Sequence, residues 1–216
     1  MKIARFIFNS FSENTYVLWD EETKEAAIVD PGMVCEDDVA KIDDFLSDNG
    51  LTLKKVLLTH QHLDHVLGVG WILERYSCKV YGHEGDIPWG EKLGMQANMF
   101  SLPYDVKPFK LSDKVVNGDT IMLGSEKIRV MHTPGHSRGG VVYYVPKPGF
   151  ALVGDTIFER SIGRTDLGGG DYKTLIDSIR TKVLTLPDDT ILYPGHGTST
   201  FVEEERDYNP FLNPFM

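Results

Sequence analysis

The chain has 216 residues, of which 41% are hydrophobic and 25% charged, as is typical of a folded globular protein of about one domain. Collagen-like, disordered and coiled-coil classes are excluded by this composition. Its 22 basic and 32 acidic residues give a net charge of −10, which disfavours binding to nucleic acid or to an anionic membrane. We therefore expect one domain over residues 1–216 and neither a nucleic-acid nor a membrane partner.

Short apolar segments rich in β-branched and aromatic residues are typical of strands, and longer segments with one apolar face are typical of helices. In chain order the predicted elements are strands Ile3–Phe8, Tyr16–Trp19 and Ala26–Val29, helix Glu36–Asn49, strand Val56–Leu58, helix Val66–Tyr76, strands Val80–Tyr81, Ile121–Leu123, Ile128–Met131, Val141–Val145 and Ala151–Val153, a helix from Asp171 to Leu186, and strand Ile191–Tyr193.

The stretch from Gly82 to Lys110 has three prolines and little periodicity, which predicts a long connection with one short helix around Glu91–Phe100. Strands outnumber helices and occur in groups. This order favours a mixed sheet sandwich flanked by helices over an alternating parallel sheet.

The cysteines and the N-terminal segment bear on the cellular compartment. Cys35 and Cys78 follow no disulfide-like or ligand-like pattern, which predicts buried free thiols in a reducing compartment. Arg5 interrupts the first apolar stretch, so no signal-peptide core is predicted, and no segment has the apolar length of a membrane span. We therefore expect a cytoplasmic protein.

Residues that can bind metal follow four predicted strands, at His60, within His132–His136, at Asp155 and at His196. The densest group is THQHLDH (59–65), which places three imidazoles and one carboxylate within six residues. Because ionisable side chains are rarely buried unless they are paired or bind a metal, this density predicts a metal site.

The spacing within this group indicates two neighbouring sites. In an extended backbone His60 and His62 point the same way, so they can bind one metal with a distant third histidine. Where the chain turns into the helix, Asp64 and His65 point toward a second position, where they can bind a second metal. Histidine and carboxylate ligands without sulfur suit zinc, iron or manganese.

Three further motifs follow strands: TPGH (133–136), VGDT (153–156) and YPGH (193–196). Pro-Gly before a histidine is typical of a sharp turn. Together with THQHLDH, and in this order, these motifs resemble the metallo-β-lactamase-fold superfamily from about Lys2 to the C-terminus. The resemblance implies an α+β fold, a four-layer αβ/βα sandwich of two mixed sheets flanked by helices, with the site at one edge between the sheets.

The resemblance also implies two divalent metal ions, zinc first, with iron or manganese as alternatives. The implied ligands are His60, His62 and His136 for the first metal, Asp64, His65 and His196 for the second, and Asp155 as a bridge. Asp64 and Asp155 are also the expected catalytic residues. His132 is expected to be buried, hydrogen-bonded or placed behind the ligands, His83 to be exposed, and Asp30 to be a turn residue or a carboxylate near the metals.

Within the superfamily the chain is similar to glyoxalase II, the hydroxyacylglutathione hydrolases, and to their short relatives. The motifs that carry this likeness are NSFSENTYVL, IVDPG, HTPGHS, LVGDTIF, GRTDLGGGD and NPFL. It implies hydrolysis of a small-molecule thioester, such as S-lactoylglutathione to lactate and glutathione, by a hydroxide that bridges two metals. In full-length glyoxalase II a helical C-terminal domain supplies much of the glutathione site, and the segment after His196 is too short to hold it, so we expect a more open pocket.

Arg164 and Asp166 occupy positions where glutathione-specific enzymes use a lysine and a tyrosine, so we expect them to bind substrate. An ion pair between Arg164 and Asp166 or Asp171 that serves only the loop is an equal alternative. Aspartate in place of tyrosine weakens the expectation of glutathione specificity.

Other activities stay open. One is a persulfide dioxygenase, which on this fold holds a single iron at positions matching His60, His136 and Asp155. Another is a lactonase or phosphodiesterase. An antibiotic-degrading lactamase is disfavoured because those enzymes are secreted, whereas no signal-peptide core is predicted in this sequence. A non-catalytic metal-binding module is the weakest alternative. The oligomeric state is left open.

Overall fold

The computed structural model describes residues 1–104 and 106–213. The first sheet contains six strands in the spatial order β1 to β6, namely β1 (Lys2–Phe8), β2 (Glu13–Trp19), β3 (Glu25–Val29), β4 (Thr52–Leu57), β5 (Lys79–Gly82) and β6 (Asp113–Lys114). The strands β1 to β3 are antiparallel, whereas β3 to β6 are parallel, so the sheet is mixed.

The second sheet has the spatial order β14-β13-β10-β9-β8-β7. Its strands and a separate two-stranded ribbon of β11 and β12 are β7 (Thr120–Leu123), β8 (Glu126–His132), β9 (Val141–Val145), β10 (Phe150–Gly154), β11 (Ile157–Phe158), β12 (Ser161–Ile162), β13 (Ile191–Pro194) and β14 (Thr200–Phe201). Only β10 and β13 pair in parallel, so this sheet is also mixed.

Six α-helices are described: α1 (Glu36–Asp48), α2 (Val69–Arg75), α3 (Ile87–Gly90), α4 (Leu93–Met99), α5 (Tyr172–Thr181) and α6 (Val202–Tyr208). As predicted, Asp171 is the N-cap of α5, where its carboxylate accepts a hydrogen bond from Thr174 N at 2.7 Å.

Alternating side chains of the strands build three apolar layers. On β3, Ala26 and Ile28 pack toward α1 and α2, whereas Ala27 and Val29 pack between the two sheets. On the far side of the second sheet, β9 and β10 pack against α5 and α6. The order of layers is therefore helices, sheet, sheet, helices, and the predicted four-layer α+β sandwich is confirmed.

The structure differs from the sequence expectations in several segments. The connection 82–110 holds two short helices, α3 and α4, where one was predicted. The helix predicted at Val66 begins at Val69 because a 3-10 turn, Leu63–His65, precedes it. Helix α6 was not predicted, since most of its side chains are charged.

The thiols also differ from expectation. Both cysteines are free, as predicted, but Cys35 is exposed and Cys78 is only partly buried, so the prediction of buried thiols is wrong for Cys35. Cys35 lies directly before α1, at its exposed N-cap position. The predicted single domain over 1–216 includes residues 105 and 214–216, which lie outside the described residues, and it stays a prediction. No helix in the described ranges has the length and apolar character to cross a bilayer.

Candidate metal centre

The candidate site lies where β4, β8, β10 and β13 end. Strand β4 leads to His60, β8 to His136, β10 to Asp155 and β13 to His196. Strands β10 and β13 are parallel, and β8 runs the same way because β9 is antiparallel to both β8 and β10. The carboxyl ends of these strands therefore meet at one edge, where the structure brings all seven predicted ligands together.

The first cluster consists of three buried imidazoles. Nε2 of His136 lies 2.9 Å from Nδ1 of His62 and 3.2 Å from Nε2 of His60. These three side chains each offer one nitrogen within 4.8 Å of the others.

The second cluster contains Asp64, His65 and His196, whose ligand atoms also lie within 4.8 Å of one another. Oδ2 of Asp64 is 3.1 Å from Nε2 of His196 and 3.5 Å from Nε2 of His65. The alternation predicted for THQHLDH is thus observed, with His60 and His62 in one cluster and Asp64 and His65 in the other.

Asp155 lies between the clusters. Its Oδ2 is 3.6 Å from His136 Nε2 on one side and 3.7 Å from His196 Nε2 on the other. Its Oδ1 lies 3.5 Å from His65 Nε2. This is the position expected of a bridging carboxylate.

The donor set fits two metal ions. In a tetrahedral zinc site with bonds of about 2.0–2.1 Å, two ligand atoms lie about 3.3 Å apart, close to the separations within each cluster. Nε2 of His65 and Oδ1 of Asp155 are buried, and among the described residues neither has a hydrogen-bond partner. A cation between these atoms would satisfy lone pairs that otherwise stay buried and unpaired.

In His136 and His196 the ring nitrogen that faces away from the clusters is held by a backbone carbonyl. His136 Nδ1 donates to the carbonyl of Arg164 at 2.8 Å, and His196 Nδ1 donates to that of Phe11 at 3.1 Å. These bonds place the hydrogen on Nδ1 and leave Nε2 free to bind a metal.

Asp30 orients two further ligands. Its carboxylate accepts hydrogen bonds from Thr59 N at 2.7 Å, Thr59 Oγ1 at 2.5 Å and His65 Nδ1 at 3.1 Å. The Thr59 hydroxyl in turn lies 3.1 Å from His60 Nδ1. Asp30 lies within ligand spacing of His60 and His65, but its oxygens already accept these bonds. It therefore lies behind the two clusters, which is one of the two expected positions, and it has a left-handed φ of 47°.

The electrostatics differ between the two clusters: the pKa values of His60 and His62 are lowered, whereas, despite burial, the neighbouring carboxylates raise those of His65 and His196. Burial, together with the charges of neighbouring histidines, lowers the pKa of His60 well below its usual value and that of His62 to about 3. Burial acts to raise the pKa of Asp64, but the charge of His65 and the hydrogen bond from His196 outweigh it and hold this pKa below its usual value. At neutral pH the imidazoles of His60 and His62 keep the lone pairs that a metal needs.

The two Pro-Gly turns need glycine for different reasons. Gly135 has a φ of +132°, in the region that favours glycine. A Cβ at Gly195 would lie 2.4 Å from Oδ1 of Asp155 and 2.5 Å from Cε1 of His65, so a side chain there would displace the second cluster.

Two supporting carboxyl groups were not predicted. Buried Asp86 accepts hydrogen bonds from Ser137 Oγ and Gly139 N, both at 2.7 Å, and from Gln61 N at 3.3 Å. It therefore ties the THQHLDH loop to the TPGHS loop. A single aspartate in a long connection carries no motif from which this could have been found.

Glu13 is fully buried behind the second cluster. Burial raises its pKa well above the usual value. The Thr15 hydroxyl lies 2.8 Å from Oε2 of Glu13 and 2.8 Å from the carbonyl of Asp30, so it links the two residues. The NSFSENTYVL motif contains Glu13 and is part of the likeness to the family, but no role was predicted for this residue.

His132 and His83 lie outside both clusters. Nε2 of His132 is 3.0 Å from the Arg138 carbonyl, in agreement with the expected hydrogen-bonding role. His83 is partly buried rather than freely exposed, because its ring stacks on that of His132 with centroids 4.0 Å apart.

A cavity of about 220 Å³ opens above the clusters. Besides ligand side chains, its lining is largely apolar and includes Phe11, Trp89, Met99, Phe100 and Leu167. Arg164 also lines it, but its guanidinium forms a bidentate pair with Asp166 at 2.7 and 2.8 Å. The loop ion pair is thus observed, and Asp166 does not line this cavity.

Comparisons with known proteins agree with this geometry. The family model of the metallo-β-lactamase superfamily matches residues 9–196. The hydroxyacylglutathione hydrolase GloC of Haemophilus influenzae is 39% identical over 216 residues, covering 99% of each chain.

Solved structures are also similar to the chain. The structure of BLEG-1 B3 metallo-β-lactamase has a TM-score of 0.88 and 36% identity, covering 98% of this chain and 100% of that one. TTHA1623, in a di-iron-bound form, has a TM-score of 0.85 and 33% identity, covering 97% of this chain and 100% of that one. The similarities support a metallo-hydrolase, and the chain belongs to the metallo-β-lactamase superfamily.

Proposed function

We propose that the protein is a dinuclear metal-dependent hydrolase that cleaves hydroxyacylglutathione-like thioesters, such as S-lactoylglutathione, into the hydroxy acid and the thiol. The observation that carries this proposal is the pair of clusters joined by Asp155 beneath an accessible cavity. The 39% identity to a hydroxyacylglutathione hydrolase supports the substrate class. A cytoplasmic location is part of the same proposal.

We assign the first metal to His60, His62 and His136, the second to Asp64, His65 and His196, and the bridge to Asp155. When bound, two divalent cations would supply Lewis acidity and lower the pKa of a shared water to about 7. Zinc is our first choice, and iron is supported by the di-iron-bound form of TTHA1623.

The protein side chains position the attacking water and the thioester. Asp64 lines the cavity, and its lowered pKa keeps its carboxylate anionic at neutral pH, so the oxygen that does not face the second cluster can accept a hydrogen bond from a water molecule. Asp155, whose oxygens face both clusters, would hold the two ions in place. Asp64 would thus direct the water lone pair toward the thioester carbonyl and Asp155 would fix the metals beside it, which are their proposed catalytic roles.

The cavity walls favour a compact, partly apolar acyl group. The aromatic rings of Phe11, Trp89 and Phe100 exclude bulk water around the carbonyl. Arg164 and Asp166 stay in the proposal as substrate-binding residues. Because they neutralise each other, we expect Arg164 to hold a substrate carboxylate only if the pair with Asp166 opens.

The dioxygenase alternative needs only His60, His136 and Asp155, and so leaves the role of Asp64, His65 and His196 unexplained. Their 3.1 and 3.5 Å separations favour a second ion and therefore the hydrolase. A β-lactamase activity is the second candidate, because a B3 metallo-β-lactamase structure is 36% identical to the chain.

A substrate panel on protein of measured metal content tests the proposal. The panel contains S-lactoylglutathione, a lactone, a phosphodiester, a chromogenic cephalosporin and glutathione persulfide with an oxygen electrode. We expect two metals per chain and thioester turnover well above the other activities. One iron per chain with oxygen uptake would instead establish the dioxygenase, and faster cephalosporin cleavage would establish the lactamase.

A further inference from the structure

A second cavity, of about 280 Å³, adjoins the one above the clusters and shares Trp89 with it. The Trp89 indole packs edge-on against His62, with ring centroids 5.3 Å apart. Its Nε1 donates a hydrogen bond to the carbonyl of Gly168 at 3.0 Å. One aromatic side chain therefore separates the second cavity from the proposed reaction centre.

The second cavity is cationic. Lys92 and Arg138 are the charged residues that line it, and no carboxylate lines it. Within the described part of the chain, neither side chain forms an ion pair, and both are exposed. The local charge of this cavity is therefore positive, whereas the net charge of the whole chain is −10. A ligand group that binds here is therefore expected to be an anion.

Glycines keep this cavity open. A Cβ at Gly169 would lie 3.2 Å from Cγ of Arg138, and one at Gly168 would lie 3.3 Å from Cζ2 of Trp89. Side chains at these positions would crowd both the cation and the shared wall. Gly169 also has a φ of +102°, which favours glycine on conformational grounds.

The two cavities differ in the cation that each offers. In the cavity above the clusters, the guanidinium of Arg164 is bound to both oxygens of Asp166. In the second cavity, Lys92 and Arg138 have no such partner. An anionic group of a substrate can therefore bind unpaired cations in the second cavity, on the far side of Trp89, but not in the cavity above the clusters.

From these contacts we infer that the second cavity binds a carboxylate of the thiol carrier, while the thioester lies over the clusters. The inference rests on the proposed function and extends it. Lys92 and Arg138 bind the carboxylate by charge-assisted hydrogen bonds, and Trp89 and Met95 contact the carbon chain that leads to it. The carrier is thus a small thiol with a carboxylate at one end.

Binding of S-methylglutathione and of its diethyl ester to the metal-loaded protein, measured by isothermal titration calorimetry, tests this inference. Neither ligand is a thioester, so the result does not depend on hydrolysis. We expect the acid to bind about tenfold more tightly than the ester, because only the acid carries carboxylates. Its affinity should also fall as ionic strength rises.

The double variant Lys92→Gln with Arg138→Gln should lose most of the difference between acid and ester. Lys127→Gln, which removes another exposed lysine on β8, should keep it. Equal binding of acid and ester to the unmodified protein, or no binding of either, would overturn the inference, as would a difference that survives the double variant. Turnover of S-lactoyl-N-acetylcysteamine, a thioester without carboxylates, tests the proposed function separately.

Discussion

Nδ1 of His62 lies 2.9 Å from Nε2 of His136, and the same Nε2 lies 3.2 Å from Nε2 of His60. Because His136 gives its Nδ1 hydrogen to the Arg164 carbonyl, its Nε2 carries only a lone pair. If His60 likewise donates from Nδ1 to the Thr59 hydroxyl, two lone pairs face each other. A cation among the three nitrogens turns this repulsion into coordination, so the geometry is that of a metal site.

Replacing His136 with alanine tests the first cluster. The variant loses one of three imidazole donors, so we expect the metal content to fall from two ions per chain toward one, as measured by inductively coupled plasma mass spectrometry. Asp177→Ala, which removes an exposed carboxylate on α5, serves as the control and should keep both ions. Two retained ions in His136→Ala would contradict the ligand assignment.

Replacing Asp30 with alanine tests the support behind the clusters. It removes the acceptor for His65 Nδ1 and for both Thr59 donors, so we expect metal affinity to fall by about 10–100-fold in competition with a chelator. Asp30→Asn keeps an acceptor oxygen and tolerates the positive φ, so its loss should be smaller. Unchanged affinity in the alanine variant would show that Asp30 does not orient the ligands.

Replacing Asp86 with alanine tests the link between the two ligand loops. The change leaves Ser137 Oγ, Gly139 N and Gln61 N without their buried acceptor. We expect the free energy of unfolding to fall by about 3 kcal/mol in urea titrations, whereas Asp177→Ala should change it by less than about 0.5 kcal/mol. A loss as small as that of the control would refute this role.

The candidate ligand residues could be found in the sequence because THQHLDH, TPGH, VGDT and YPGH each follow a strand, and their assignment to two metals came from the family resemblance and stays a proposal. The residues that support these ligands were harder to predict from the sequence. Asp86 lies in a connection without periodicity, so no pattern marks it. Glu13 is important because it is buried, and its burial depends on how the two sheets pack. Whether Arg164 is free to bind a substrate depends on its ion pair with Asp166. The sequence predicted substrate binding and this ion pair as equal alternatives.

Most strands and the α1 and α5 helices were predicted because their apolar patterns are regular. Helix α6 could not be predicted in this way, since only Val202 and Glu205 of its residues are buried. Glu205 is kept there by hydrogen bonds from the backbone N of Arg160, from Thr200 Oγ1 and from Asn209 Nδ2. Such a helix forms through tertiary contacts rather than through its own periodicity.

Asp20 should make stability depend on pH in the acid range. Hydrogen bonds from the backbone N of Ser125 and of Glu22 hold the pKa of Asp20 well below its usual value. Its stabilising effect is therefore fully present above about pH 4, the usual pKa of an unfolded aspartate, and is lost as pH falls through the lower folded pKa.

Urea unfolding at pH 7 and pH 3 measures this effect. The difference in unfolding free energy between the original protein and Asp20→Asn should be larger at pH 7 than at pH 3. A difference that stays constant or grows toward pH 3 would contradict the role assigned to Asp20.

The most direct test of the dinuclear hydrolase is the Asp155→Asn variant. Asp155 lies within 3.7 Å of nitrogens from both clusters, so the loss of its charge weakens both proposed sites at once. Metal content and S-lactoylglutathione turnover are measured on the same sample, with Asp177→Asn as the matched control. We predict less than two ions per chain and a loss of turnover of at least about a hundredfold, as for other residues that position the reacting groups. Full metal content together with unchanged turnover would contradict the account.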